Sequence, residues 1–205
     1  MKKVLILLGV IAIAVAVYFF FSREHWTNYP AKNAGPWVAF GDSLTAGFGA
    51  DQGHDYPTIL GQRLSVKMVN KGVPGETSAD GLARIGQVKE LHPRVVLVCF
   101  GGNDTLNHVP FDTTFSNIGQ IIDQLQADGA FVVLVGVPSA SIRDKYEKRF
   151  KSLAKEKQTL FIPDILKGVL GTPNLMSDYV HPNDEGYKKI AERFDDLLLP
   201  YLHNL

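Results

Sequence analysis

Residue types suited to acyl-transfer chemistry occur in four short clusters: Gly41-Asp42-Ser43-Leu44, Asn70-Lys71-Gly72-Val73-Pro74-Gly75-Glu76-Thr77, Gly101-Gly102-Asn103-Asp104 and Asp178-Tyr179-Val180-His181-Pro182. A serine hydroxyl is a weak nucleophile at neutral pH and needs an adjacent base, for which a neutral imidazole, with an ordinary pKa near ~6.5, is suited. His181 could serve Ser43 in that way. Asp178 comes three residues before His181. One tight turn can therefore bring its carboxylate to the imidazole Nδ1, fixing the tautomer that leaves Nε2 free for the serine. Acid and base would then arrive as one unit.

A tetrahedral intermediate on such a serine carries a negative oxygen, and losing one hydrogen-bond donor to it typically costs ~2.7–4 kcal/mol of barrier. The backbone N–H groups of Ser43 and Gly72 and the side-chain amide of Asn103 are the candidate donors. Glycine suits position 72 because the missing Cβ lets backbone approach a substrate closely. Asparagine donates without adding charge. Each residue also has a plainer reading by itself: Ser43 as a helix cap, Gly72 and Gly75 as turn glycines, Asn103 as a turn or cap residue, Asp178 as a surface cap and His181 as a loop histidine. Chemistry is favoured only if the fold gathers all of them at one edge.

The elements around the clusters predict that gathering. Apolar runs at Trp37–Phe40, Val66–Asn70, Val95–Phe100, Phe131–Val135 and Leu160–Ile162 read as strands bounded by Gly, Pro or polar residues. Between them the apolar spacing changes to three and four, as in Phe115, Ile118, Ile122 and Leu125, in Ile142, Tyr146, Phe150 and Leu153, and in Tyr187, Ile190, Ala191, Phe194, Leu197 and Leu198. Thr77 and Asp112 stand where helix N-caps belong. Strands alternating with helices imply a parallel sheet covered on both faces, because every parallel connection needs a crossover. The prediction is an α/β domain: a three-layer α/β/α sandwich with a five-stranded parallel sheet of flavodoxin-like order 2-1-3-4-5. In that order the first three strands are neighbours and their following loops converge on one crevice.

These four blocks, in this order, resemble the SGNH (GDSL) hydrolase family of serine esterases and lipases, and the likeness covers most of residues 37–205. The resemblance implies a nucleophile at Ser43, oxyanion donors at Gly72 and Asn103, and an Asp178/His181 pair. The sub-type is similar to small single-domain bacterial esterases that include multifunctional thioesterase/lysophospholipases and arylesterases. It implies hydrolysis of carboxylic esters or thioesters through an acyl-enzyme, with no cofactor. A tethered, non-enzymatic binder of envelope glycans or lipids on an esterase scaffold is the alternative, as is an acyltransferase using the same residues. Leu44, Phe48, Leu106 and Val109 lie near the expected site and are candidates to line an acyl pocket, and Gly47, Gly49 and Gly53 would make the loop after Ser43 mobile. The substrate partner is then a small-molecule or lipid ester.

Other chemistries find little support. Lys+Arg and Asp+Glu number 21 each, so no basic excess exists to hold a nucleic acid. Cys99 stands alone inside an apolar strand and reads as core filler. His25, His54, His92, His108 and His203 show no ligand spacing, so no metal site is expected. Asp104 reads as a turn cap, and Asp42 is expected to steady the nucleophile turn by hydrogen bonding. No glycine-rich phosphate-binding run follows a strand.

The N-terminus has its own character. Lys2 and Lys3 precede an uncharged apolar run from Val4 to Phe21, which as a helix would be ~27 Å long, close to the ~30 Å hydrocarbon core of a bilayer. A retained membrane anchor over residues 1–21 is the preferred reading, and a cleaved signal after Ala14 or Ala16 the alternative. The basic residues ahead of the run predict a cytoplasmic N-terminus. The catalytic domain would then face the periplasm or exterior of a bacterial inner membrane. Residues 22–36, punctuated by Asn28, Pro30, Asn33, Gly35 and Pro36, read as a linker or a clasp, and the folded domain as 37–205.

Overall fold

The computed structural model describes residues 25–138 and 143–205. The anchor expected over residues 1–21 lies outside them; among the described residues no helix is long and apolar enough to cross a membrane.

Five parallel strands form one sheet in the order β2-β1-β3-β4-β5: β1 (Trp37–Gly41), β2 (Met68–Gly72), β3 (Val95–Cys99), β4 (Phe131–Val135) and β5 (Leu160–Ile162). Helices cover both faces: α1 (Ser43–Ala46), α2 (Tyr56–Leu64), α3 (Ser78–Ala83), α4 (Gly86–Lys89), α5 (Gly102–Leu106), α6 (Phe111–Ala127), α7 (Arg143–Glu156) and α8 (Asp184–Leu198). The three-layer α/β/α arrangement and the strand order agree with those expected from the sequence. Strand side chains alternate between two cores because successive residues point to opposite faces. Trp37, Ala39, Leu97 and Val133 meet α2 and α8, while Val38, Phe40, Val98 and Leu134 meet α6 and α7. With both faces covered, β1, β3 and β4 are buried along their whole length.

Some element ends shift by one or two residues from the sequence reading, and two of the differences have a plain local cause. β2 begins at Met68 rather than Val66, because Ser65 adopts a left-handed conformation at the end of α2 and the Val66 N–H closes that helix on the Gly61 carbonyl. Asp112 is not the N-cap of α6, which is Pro110; Asp112 stands within the first turn instead, where its charge faces the positive end of the helix dipole.

Residues 25–36 are pinned to the amino-terminal side of the sheet. The Asn28 amide donates to the carbonyls of Gln126 (2.8 Å) and Ala130 (2.9 Å), and the Asn33 amide to those of Pro93 (3.2 Å) and Asp128 (2.9 Å). The Trp26 ring packs edge-on against Tyr29, Phe131 and Tyr201.

At the opposite side, Gly41 of β1 is in register with Gly72 of β2 and with Cys99 of β3. The three strands therefore end level, and the loops that follow them leave from one rim. That shared rim positions the site.

Candidate active site

The turn after β1 is built by Asp42. Its carboxylate accepts the Leu44 N–H at 3.1 Å as the N-cap of α1, as expected, and this leaves Ser43 at the first position of the helix. The Ser43 hydroxyl donates to His181 Nε2, 3.0 Å away. On the other side of the ring, His181 Nδ1 lies 2.8 Å from Asp178 Oδ2. Proton donation from Nδ1 to the carboxylate fixes the tautomer that makes Nε2 an acceptor. Residues 43, 178 and 181, predicted from separate parts of the chain, thus meet in one relay.

The loop that carries the acid and the base is closed on itself. Met176 and Pro182 form an antiparallel bridge, and the Ser177 N–H donates to the His181 carbonyl at 2.9 Å. Asp178 Oδ1 accepts the N–H groups of Val180 and His181, each at 2.7 Å. Desolvation opposes ionisation of this carboxyl, but the His181 ring and the two backbone donors outweigh it and hold Asp178 down at about 2. It stays anionic at every pH at which an imidazole can act as a base. The Phe48 ring packs 4.7 Å from the His181 ring, and its own carbonyl accepts the Tyr187 hydroxyl at 2.9 Å. Burial raises the Tyr187 phenol, which keeps it a proton donor.

Where the backbone N–H groups go decides which are free to meet an oxyanion. Gly72 is not free: its N–H donates to Asn70 Oδ1 at 2.8 Å. The glycine is needed there for packing, since a Cβ at 72 would stand 2.1 Å from the Ala46 backbone nitrogen. Gly75, read from sequence as a turn glycine, lies in the same loop with φ +84°. A Cβ there would meet nothing within 4 Å. Among the described residues no acceptor takes the N–H of Gly75, nor that of Ser43 at the start of α1. The Asn103 amide donates one N–H to the Glu76 carbonyl at 2.9 Å, which orients the group and leaves its second N–H available. The N–H expected of Gly72 is thus committed to Asn70, and in this loop it is the Gly75 N–H that has no acceptor among the described residues. No sequence signal separates the two glycines, because the course of each N–H is set by the fold.

Behind these donors lies a buried acidic pair. Asp104, read from sequence as a turn cap, is fully buried and accepts both the N–H and the hydroxyl of Ser78, at 2.8 and 2.5 Å. Burial, reinforced by the nearby charges of Asp104 and Glu76 and opposed by the Leu44 N–H, pushes Asp42 up to about 7.

Of the four candidates for an acyl pocket, Leu44 is buried in the core between sheet and helices and does not line the site. Phe48 and Leu106 expose apolar surface at the rim, and Val109 is half-buried. Cys99 is buried and its thiol is pushed up by desolvation, consistent with filler. Among the described residues no cluster of three or more His, Cys, Asp or Glu forms a metal-binding set.

A hydroxyl, imidazole and carboxylate in series, beside unpaired N–H groups on the rim of a 2-1-3-4-5 sheet, are the equipment of a hydrolase that works on acyl carbonyls. Comparison with known proteins gives the particular group. The model of the GDSL-like Lipase/Acylhydrolase family matches residues 39–189, and the chain belongs to that family. It is 30% identical over 177 residues to the arylesterase of Vibrio mimicus, covering 80% of this chain and 88% of that protein. It is 30% identical over 186 residues to the thioesterase 1/protease 1/lysophospholipase L1 of Escherichia coli strain K12, covering 86% of this chain and 89% of that one. Among solved structures, the crystal structure of TesA is similar with a TM-score of 0.76 at 28% identity, covering 80% of this chain and 98% of that chain. The chain is a carboxylic ester hydrolase of the SGNH type.

Proposed function

We propose that the protein hydrolyses carboxylic esters and thioesters, single-chain lipid esters among them, through an acyl-enzyme on Ser43. The observation that carries this reading is the His181 ring between Ser43 Oγ at 3.0 Å and Asp178 Oδ2 at 2.8 Å. The hydroxyl proton passes to Nε2 as Oγ attacks the carbonyl carbon. The resulting imidazolium is stabilised by the ionised Asp178. The N–H groups of Ser43 and Gly75 and the second N–H of Asn103 receive the negative oxygen. His181 then returns the proton to the departing alkoxide or thiolate. Water, deprotonated by the same imidazole, adds to the acyl-enzyme and releases the carboxylic acid with Ser43 restored.

The names of the relatives support the range of leaving groups, and the exposed Phe48 and Leu106 at the rim support an apolar acyl chain. The run Val4–Phe21 behind Lys2 and Lys3 supports placing this activity on the outer side of a bacterial inner membrane, which protease accessibility in spheroplasts tests. For the chemistry, the test is labelling with a fluorophosphonate and turnover of 4-nitrophenyl esters by the native chain, Ser43→Ala and His181→Ala. The native chain should be labelled once, on Ser43, and both variants should lose the label and the turnover. Labelling that persists in Ser43→Ala overturns the proposal by placing the nucleophile elsewhere, and its absence from the native chain overturns it and leaves a binding protein.

A further inference from the structure

We propose that Arg84 is a positioning residue for the oxyanion-binding groups, acting through Glu76 on Gly75 and Asn103 without touching the substrate. The proposal rests on the esterase reading above and adds to it a residue outside the four sequence clusters, apart from Glu76, that carry the chemistry.

Arg84 follows α3 and turns back toward the strand ends. Its Nε donates to both carboxylate oxygens of Glu76, at 2.8 and 2.7 Å, and Nη2 stands 2.6 Å from Oε2. The same Nη2 donates to the Lys71 carbonyl at 2.9 Å and, more weakly, to that of Gly41 at 3.3 Å. The guanidinium carbon lies over the Phe40 ring, 4.6 Å from its centre. Gly41 is the last residue of β1, one step before Asp42 and Ser43; Lys71 is the last but one of β2, where the donor loop begins. One cation therefore spans the point where β1 passes into the nucleophile turn and the point where β2 passes into the loop of Gly75.

Glu76 is the other half of the device. Its side chain is held by Arg84, while its backbone carbonyl holds the Asn103 amide at 2.9 Å, and the residue before it is Gly75. From the far side the loop is fixed by Thr77, whose N–H and hydroxyl both donate to Asp80 in the capping box of α3. Beyond that cap, the Glu76 N–H bond to Val73, 3.4 Å long, is the internal tie of this loop. The side chains of Arg84 and Glu76 are only 12% and 16% exposed, so neither is free to find a solvent partner in exchange. A guanidinium can bond a carboxylate and two carbonyls at once because its donors diverge in a plane; an ammonium is a point charge without that fork.

The experiment uses the full chain with Arg84→Gln, Arg84→Lys and Glu76→Ala, with thermal melts to establish folding. Steady-state kinetics are measured on 4-nitrophenyl butyrate. Affinity is measured for an alkyl trifluoromethyl ketone, which forms a tetrahedral adduct on the serine, and for its unfluorinated counterpart, which does not. Misplaced donors cost the transition state and not the ground state, so kcat should fall by about ten- to a hundredfold with KM within about threefold. Affinity for the trifluoromethyl ketone should fall in step with kcat, affinity for the plain ketone should hold, and Arg84→Lys should fail to restore either. A folded Arg84→Gln with kcat within about twofold of native, full rescue by lysine, or equal losses for both ketones overturns the proposal. If the Arg84 variants do not fold, Glu76→Ala decides, because it keeps Arg84 on the two strand-end carbonyls and releases only the loop; native kcat there is equally fatal. A native chain that takes no label on Ser43 refutes the esterase reading instead, and separates the two failures.

Discussion

Replacing Asp42 by asparagine should make the protein more stable above neutral pH and remove part of its pH dependence. Asp42 is 2% exposed, and burial raises its carboxyl from 3.8 to about 7, so the folded protein keeps a proton that the unfolded chain gives up about three pH units earlier. Between those values the folded state binds more protons than the unfolded one, so stability falls as pH rises from about 4 to about 7, and the loss is complete above that. At ~1.4 kcal/mol per unit the full cost is about 4 kcal/mol. An asparagine side chain in its place would present the same Oδ1 to the Leu44 N–H. It would also turn an amide donor toward Asp104 and Glu76, whose charges now work against Asp42. The assay is urea denaturation of native and Asp42→Asn chains at pH 5, 6, 7 and 8, read as the difference between the two stabilities so that the titration of all other groups cancels. The difference should grow in favour of asparagine by about 2.5 kcal/mol between pH 5 and pH 8, most of it below pH 7. A difference that stays flat, or that turns against asparagine as pH rises, would show that the buried carboxyl is ionised at low cost, and the electrostatic account of the nucleophile turn would be wrong.

Two glycines separate packing from chemistry. Gly72→Ala forces a methyl group to within 2.1 Å of backbone at Ala46 and should cost several kcal/mol, read as loss of soluble, cooperatively melting protein. Gly75→Ala meets no neighbour but carries φ +84°, so it should cost only about 1 kcal/mol in a urea melt while kcat falls by about tenfold or more as the N–H swings. Asp178→Asn keeps the shape of the catalytic loop and removes its anion; kcat on a 4-nitrophenyl ester should fall by about 10³–10⁴-fold at neutral pH with labelling of Ser43 slowed to match. Native stability should lose the contribution of Asp178 only as pH drops below about 4 toward about 2, since its carboxyl is depressed and not raised. Phe48→Ala should lower kcat/KM for octanoyl more than for acetyl esters, measured as a chain-length profile; an unchanged profile would remove Phe48 from the acyl path.

The fold was legible because parallel strands buried on both faces are written as unbroken apolar runs, and Val95–Cys99 and Phe131–Val135 can be read as little else. The Asp178–His181 contact was legible because a separation of three residues lets one tight turn bring the two together, and Ser43 because it stands one residue past Asp42 and the end of a strand in such a sheet. What depends on the course of a single N–H was not. Gly72 and Gly75 are chemically identical, and only the hydrogen bond to Asn70 takes one of them out of use. The start of β2 escapes a sequence reading for a similar reason: Val66 is apolar enough for a strand, but its N–H is committed to the end of α2. Arg84 and Glu76 are eight residues apart across a helix, a spacing that carries no periodic signature. Their meeting is produced by the capped turn between them.

The clasp over residues 25–36 gives the molecule a polarity. Thr27 bonds Gln158 just ahead of β5, and Asn28 bonds Ala130 just ahead of β4, so the chain enters at the amino ends of the strands, while Ser43 and His181 stand at the carboxyl ends. His25, the first described residue, stands at the pole opposite Ser43 and His181. A tether attached there would act as a stalk that points the mouth outward, so that substrates would be drawn from the surrounding medium and the mooring surface would lie out of reach.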